Sequence, residues 1–216
     1  MSADTRPLVS LVTPTWQRHD LLIETIEHVR DQDYPDLEHI IVADGTDEQL
    51  ARWATQGWPT AFGDPTAVPI RFAELGRHWS GLMPKPALGV APILTGLLMA
   101  RGDYLAWLCD DERFMQPDSL RLLVDHLEST GADFVYPKVR MYWNGQQPAD
   151  GWDIGTDPPQ YGQFTWCLFR AELLQTAMPR FDAPVWNDWY LISKWVEAGA
   201  TWAFLPEVTF SHRADR

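Results

Sequence analysis

Two short apolar runs near the amino end, Pro7 to Thr13 (PLVSLVT) and Leu37 to Ala43 (LEHIIVA), bracket a segment of different periodicity. Both runs are rich in β-branched or other bulky apolar residues and are followed by turn formers, which marks them as buried strands. Between them, Leu22, Ile26 and Val29 recur at helical spacing beside Glu24 and Glu27, so Asp20 to Asp31 is expected to be an amphipathic surface helix. Strand, helix and strand at this length imply a right-handed crossover joining two parallel strands. A chain that begins this way builds a layered α/β domain.

The alternation continues. Gly57 to Pro92 is richer in Gly and Pro and is expected to be irregular apart from a strand at Ile70 to Leu75. Ile93 to Ala100 reads as a helix and Asp103 to Leu108 as a strand. Pro117 then opens a helix with Leu120, Leu123, Val124 and Leu127 on its apolar face and Gly131 at its end. Asp133 to Trp143 reads as a long strand, and Phe164 to Phe169 as another. Asp188 to Ala198 reads as a helix with Trp189, Ile192 and Val196 on one face, followed by short strands at Trp202 to Leu205 and Val208 to Phe210. The tract Asn144 to Gly162, rich in Gly, Pro and Asp, is a candidate lid or acceptor loop. The pattern predicts a mostly parallel sheet with helices on both faces, and 216 residues suit one core.

With 17 basic against 30 acidic residues the formal net charge is -13, a surface that repels nucleic-acid phosphates at long range. Nucleic acid is therefore not an expected partner, although a local basic pocket would still accommodate one diphosphate. Two cysteines make no disulfide framework, and the opening MSADTRPLVS has no apolar signal core, so a cytoplasmic location is expected. No run is long enough to span a membrane, while peripheral contact with a lipid-linked acceptor stays open, as does an oligomer. Most of the 12 tryptophans are expected to fill cores or grooves, and some to stack on sugars.

In an open α/β sheet ligands gather at the carboxyl ends of the strands. Pro14-Thr15-Trp16, Asp44 and Asp110-Asp111 all follow expected strands, so three loops can converge on one small molecule. Adjacent carboxylates behind a buried strand repel one another unless a cation or donors neutralise them, and a hard divalent ion suits them; a helix-capping or solvated acidic turn ahead of Pro117 is the other reading. Asp44 before Gly45 is either a turn residue or a ligand, and Trp16 either a core aromatic or a stacking platform. Asp188 beside Asn187 reads as a helix cap or a general base. His212 reads as structural or as a ligand, and Arg77, His78 and Lys85 as solvated residues or diphosphate holders.

The motifs PLVSLVTPTWQR, IIVADGTDE, ARGDYLAWLCDDERFMQPDSL, FTWCLFRAELL, NDWYLISKWVEAG and FLPEVTFSHR, in that order across nearly the whole chain, resemble a family 2 glycosyltransferase with the GT-A (nucleotide-diphospho-sugar transferase) fold. The piece CDDERFMQPDSL is similar to the aspartate pair of the spore-coat polysaccharide-type transferases. The resemblance implies one domain over residues 1–216, its nucleotide-binding half at about 1–112 and its acceptor-binding half at about 113–216. It implies that Trp16 lies beside the base, that Asp44 accepts from a uracil or thymine ring, that Asp110 is on the ribose side, and that Asp111 holds Mn2+ or Mg2+ on the diphosphate. Asp188 matches the base that deprotonates the acceptor hydroxyl, and His212 a histidine that reaches the metal in some relatives. Pro14, Thr15, Arg18, Arg77, Lys85 and Trp166 complete the expected substrate-binding set. The implied activity is inverting transfer from a UDP- or dTDP-sugar to a glycan, lipid-linked or small-molecule hydroxyl.

Three positions depart from the family pattern. Cys109 stands where many relatives have the first aspartate of their motif, Leu94 where many have asparagine, and Asn187 where glutamate is frequent. Two other functions compete. A nucleotidyltransferase would carry a Gly-rich basic loop after the first strand, and PTWQRHD has none. A catalytically silent nucleotide- or glycan-binding relative would keep the fold without the chemistry.

Overall fold

The computed structural model describes residues 6–58, 68–83, 89–143, 145–163 and 166–214. The first apolar run forms β1 (Val9–Thr15), buried along its whole length, so Pro14 and Thr15 belong to the strand and not to the loop expected after it. Alternate β1 side chains face opposite layers, as strand geometry requires. Val9 and Leu11 pack with Leu120, Leu123 and Leu127, whereas Val12 packs with Ile93 and Leu97.

The helix that follows, α1 (His19–Arg30), buries Leu22, Thr25, Ile26 and Val29, and leads to β2 (Leu37–Ala43). A further helix, α2 (Glu48–Gln56), was not expected. Its start is fixed by the Asp47 carboxylate, which accepts from the backbone N–H groups of Gln49 and Leu50. Leu50 is its one buried residue and Trp53 packs beside it, a short apolar face that the sequence alone did not single out. The chain continues through β3 (Ile70–Glu74), α3 (Val90–Met99), β4 (Tyr104–Trp107), the two-residue β5 (Arg113–Phe114), α4 (Ser119–Thr130) and β6 (Phe134–Tyr142). Gly131 closes α4 in the left-handed conformation, φ 64°, as its position behind the apolar face predicts. Then come β7 (Trp152–Ile154), β8 (Leu168–Arg170), α5 (Asn187–Glu197) and β9 (Trp202–Arg213). The two short strands expected at the end are one strand. Leu205 pairs with Pro137 and Val208 with Lys138, so Pro206 and Glu207 are accommodated by a bulge.

The sheet order is β3-β2-β1-β4-β8-β6-β9-β5, with β7 on β6. β2 and β4 both run parallel to β1, β3 to β2, and β9 to β6. β8 is antiparallel to both β4 and β6. Two reversals restore the direction, so β3, β2, β1, β4, β6 and β9 all point their carboxyl ends to one edge, and the sheet is mostly parallel.

Helices cover both faces. α1 and α4 lie on the side of Val9 and Leu11, and α3 and α5 on the side of Val12. α3 approaches β1 closely enough that a Cβ at Gly96 would meet Val12 Cγ1 at 2.2 Å. The buried face of α5 is Leu191, Ile192 and Trp195, rotated from the expected one, and Val196 is exposed. The tract after β6 is partly ordered by β7, in which Trp152, Asp153 and Ile154 pair with Met141, Arg140 and Val139. Among the described residues no helix is long and apolar enough to cross a membrane.

Candidate active site

The shared strand edge gathers the polar residues. Thr15 ends β1, Asp44 directly follows β2, Asp110 and Asp111 follow β4, and His212 lies one residue before the end of β9. Asp188 lies in the first turn of α5.

Asp110 and Asp111 are both buried. Thr15 Oγ1 donates to Asp110 Oδ2 at 2.8 Å. One nitrogen of Arg18, Nη2, lies 2.6 Å from Asp110 Oδ1 and 2.6 Å from Asp111 Oδ2. Gln17, with a left-handed φ of 50° that residues bearing a Cβ rarely adopt, makes the turn ahead of Arg18. The adjacent hollow, about 340 Å³, is lined by Gln17, Arg18, His19, Asp20 and Leu21. The two carboxylates thus converge on one positive charge, which answers the self-repulsion that singled them out. Hard oxygen donors converging on a cation fit Mg2+ or Mn2+, which commonly take one or two carboxylates and complete their shell with phosphate and water. Among the described residues no three His, Cys, Asp or Glu side chains form a ready-made metal cage.

Glu112, the third carboxylate of the run, has a different task. Its Oε2 accepts from the Cys109 backbone N–H at 2.7 Å, and its Oε1 pairs with His212 Nδ1. His212 is therefore joined to Glu112 and is not gathered with Asp111 into a ligand set. Burial opposes protonation of His212, but its hydrogen bond to Glu112 and the charges of Glu112 and Asp188 prevail and raise its pKa above the ordinary histidine value. Asp188 is affected in turn. Burial pushes its carboxyl up to about 6, the Trp189 N–H donated to Oδ1 at 2.8 Å pulls it back, Glu112 adds to the rise and His212 lowers it. A carboxylate poised near 6 is suited to take a proton close to neutral pH.

Asp44 is buried, and its two oxygens accept from the backbone N–H groups of Trp79 at 2.7 Å and Ser80 at 2.8 Å. It thus anchors the loop after β3 beside the loop after β1. On that loop His78 stacks on Trp16, and Arg77, exposed, lies over the Trp79 ring at 5.4 Å. Gly45 carries φ 126°, and a Cβ there would meet Trp16 Cζ3 at 2.5 Å, so the indole rests directly on the glycine.

Trp166 is a correction. It is 3% exposed, stacks on Phe210 at 5.1 Å and meets Phe114 edge-on, so it is a core residue and does not line the site. Pro14, buried in β1 opposite Val42, contributes to the sheet. Lys85 lies outside the described residues. Of the departures, Asn187 has a clear structural reason: its Oδ1 accepts from the Arg180 N–H at 2.7 Å while its Nδ2 donates to the Arg180 carbonyl at 3.2 Å, a two-way pairing that a carboxylate cannot make. Glu112 and the stacking role of His78 were missed. The run of three carboxylates was the signal for Glu112, whereas His78 reaches Trp16 only through the fold.

No family model matches the chain. It is 31% identical over 122 residues to Escherichia coli (strain K12) WcaA, named for glycosyl transfer in colanic acid biosynthesis, covering 56% of this chain and 38% of that protein. It is 29% identical over 163 residues to the glucosyl-dolichyl phosphate glucuronosyltransferase of Haloferax volcanii, covering 72% and 47%. The chain thus spans less than half the length of these curated relatives. Among solved structures, Staphylococcus aureus TarS 1-349 in complex with UDP-GlcNAc superposes with a TM-score of 0.69 at 14% identity, covering 97% of this chain and 59% of that one. Pyrobaculum calidifontis mannosyltransferase PcManGT, in complex with GDP-Man and Mn2+, gives 0.69 at 18%, covering 97% and 57%. The fold of this chain is therefore the GT-A fold of glycosyltransferases, and its sequence is similar to proteins of that class.

Proposed function

We propose that this chain is an inverting family 2 glycosyltransferase that takes a nucleoside-diphosphate sugar, with UDP- or dTDP-sugars favoured, and transfers the sugar to an acceptor hydroxyl. The observation that carries this reading is the convergence of Asp110 and Asp111 on one positive charge, with Asp188 in the cluster built around the neighbouring Glu112 and His212. Residues up to about 112 hold the donor. Trp16 and His78 offer the aromatic surface for the base, Asp44 keeps their loops together, and Asp110 and Asp111 would hold Mn2+ or Mg2+ for the diphosphate. When bound, the divalent ion offsets the charge that grows on the departing phosphate oxygen. Asp188 takes the proton of the acceptor hydroxyl, whose oxygen bonds to the anomeric carbon as the sugar–phosphate bond breaks on the far side. His212, raised toward its imidazolium form by Glu112, stabilises the Asp188 carboxylate.

The acceptor side falls to residues after about 113. The tract behind β7 brings Tyr161 edge-on to Trp189, ring centres 6.0 Å apart, and Trp189 directly follows Asp188. Aromatic faces with polar neighbours suit a sugar or another hydroxylated acceptor. Purified protein incubated with Mn2+ and a panel of nucleotide sugars should release nucleoside diphosphate by transfer or hydrolysis. Binding without turnover for every donor would instead identify a silent nucleotide-binding relative.

A further inference from the structure

The Arg18 guanidinium is held in an unusual way. Arginine commonly meets carboxylates as a two-pronged fork. Here a single nitrogen, Nη2, serves both Asp110 Oδ1 and Asp111 Oδ2 at 2.6 Å, while Nε is buried and makes no hydrogen bond among the described residues. The side chain is one-third exposed, whereas the two carboxylates are almost fully covered, so the arginine can leave toward solvent and the aspartates cannot. A divalent ion that used the same two oxygens would compete with Nη2 for their charge and lone pairs.

We propose that Arg18 is an internal place-holder for the divalent cation, filling its position between Asp110 and Asp111 until metal and nucleoside diphosphate arrive together, and then turning its guanidinium to the diphosphate. The inference rests on the reading of Asp110 and Asp111 as the cation-holding pair. Free metal must displace Arg18 and leave it without an anion. Metal on a diphosphate brings further oxygen ligands and also supplies the anion that receives the guanidinium, so the exchange is favourable only with nucleotide present. Arg18 is thus a positioning residue that makes metal binding depend on donor binding.

The test measures Mn2+ alone, by the electron paramagnetic resonance signal of the free ion, against wild type, Arg18→Gln, Asp111→Asn and the double variant. Arg18→Gln should bind Mn2+ without nucleotide at least about tenfold more tightly than wild type, and Asp111→Asn should abolish that gain. Equal Mn2+ affinity in wild type and Arg18→Gln, both weakened by Asp111→Asn, would overturn the place-holder while leaving the metal reading intact. Mn2+ binding that Asp111→Asn never weakens, with or without UDP, would overturn the metal reading itself. A second measurement avoids dependence on the folding of Arg18→Gln. In wild-type protein with labelled arginine side chains, the Arg18 guanidinium resonance, assigned by its loss in Arg18→Lys, should shift when Mg2+ and UDP are added together and stay in place with Mg2+ alone. A resonance unmoved by Mg2+ and UDP while others report nucleotide binding would also overturn the proposal.

Discussion

The imidazole of His78 lies flat against the indole of Trp16, ring centres 4.0 Å apart and planes 15° from parallel. The pair joins the loop after β1 to the loop after β3, and the His78 Nδ1 contact with the Asp44 carbonyl oxygen, 3.1 Å, ties it to the end of β2. If this surface receives the base, Trp16→Ala should weaken UDP binding by about tenfold or more, since base–aromatic stacking contributes about 1–3 kcal/mol. His78→Ala should give a smaller loss. Calorimetric titration with UDP measures both, and unchanged affinity in Trp16→Ala would remove the base from this surface.

Gly45 permits that arrangement. Its φ of 126° is strained for any other residue, and a Cβ would press on Trp16. Gly45→Ala should therefore lower stability by about 1–3 kcal/mol and weaken nucleotide binding along with it. Thermal melts read the first effect and calorimetry the second.

As the proposed base, Asp188 should set the acid limb of activity. Its carboxyl titrates at about 6, so the base form disappears as pH falls through that value and kcat should fall with it. The stability effect has the opposite sense. A carboxyl raised in the folded state favours folding while it is protonated, and that contribution is lost as pH rises from about 4 through 6. Asp188→Asn should therefore lose at least about 100-fold in kcat and, at pH 7, gain roughly 1–2 kcal/mol of stability, a figure reduced for the partial exposure of the group. Rate against pH and parallel thermal melts check the two effects.

His39 should dominate acid sensitivity elsewhere in the fold. It is fully buried in β2 with Nε2 2.7 Å from Thr13 Oγ1, and burial pushes its pKa down to about 3. Below about 6.5 the unfolded chain binds a proton that the folded one refuses, so stability falls as pH drops from 6.5 toward 3, by as much as about 4 kcal/mol. Denaturant melts across that window should be flatter for His39→Gln than for wild type, after allowing for its lower stability at neutral pH.

On the proposed acceptor side, Tyr161→Ala removes the ring packed edge-on against Trp189. The acceptor KM should rise several-fold while hydrolysis of the donor in the absence of acceptor is unchanged. A change in donor KM instead would place Tyr161 on the other side of the site.

The early part of the fold was legible because Leu22, Ile26 and Val29 write a helix face and the runs around them write strands without tertiary help. α2 was not, since it is only nine residues long and rests on the Asp47 cap, Leu50 and the partly buried Trp53. The strand direction around β8 also escaped the sequence, because three residues carry no register of their own. In the site, adjacency announced Asp110 and Asp111. The partners that define them, Arg18 across 93 residues of chain and His212 for Glu112 across 100, exist only once strand edges meet. Trp166 was misread for the same reason: an indole in a core and an indole on a substrate surface have the same local sequence.

The proposed grip of a divalent cation at Asp110 and Asp111 on a nucleoside diphosphate is tested most directly by the dissociation constants of UDP, dTDP and GDP with and without Mn2+. Wild type should bind at least one of them about tenfold or more tightly with Mn2+ present, and Asp111→Asn should lose that enhancement while keeping the weak metal-free binding. An affinity indifferent to the cation for every nucleoside diphosphate, or an enhancement that survives in Asp111→Asn, would contradict it.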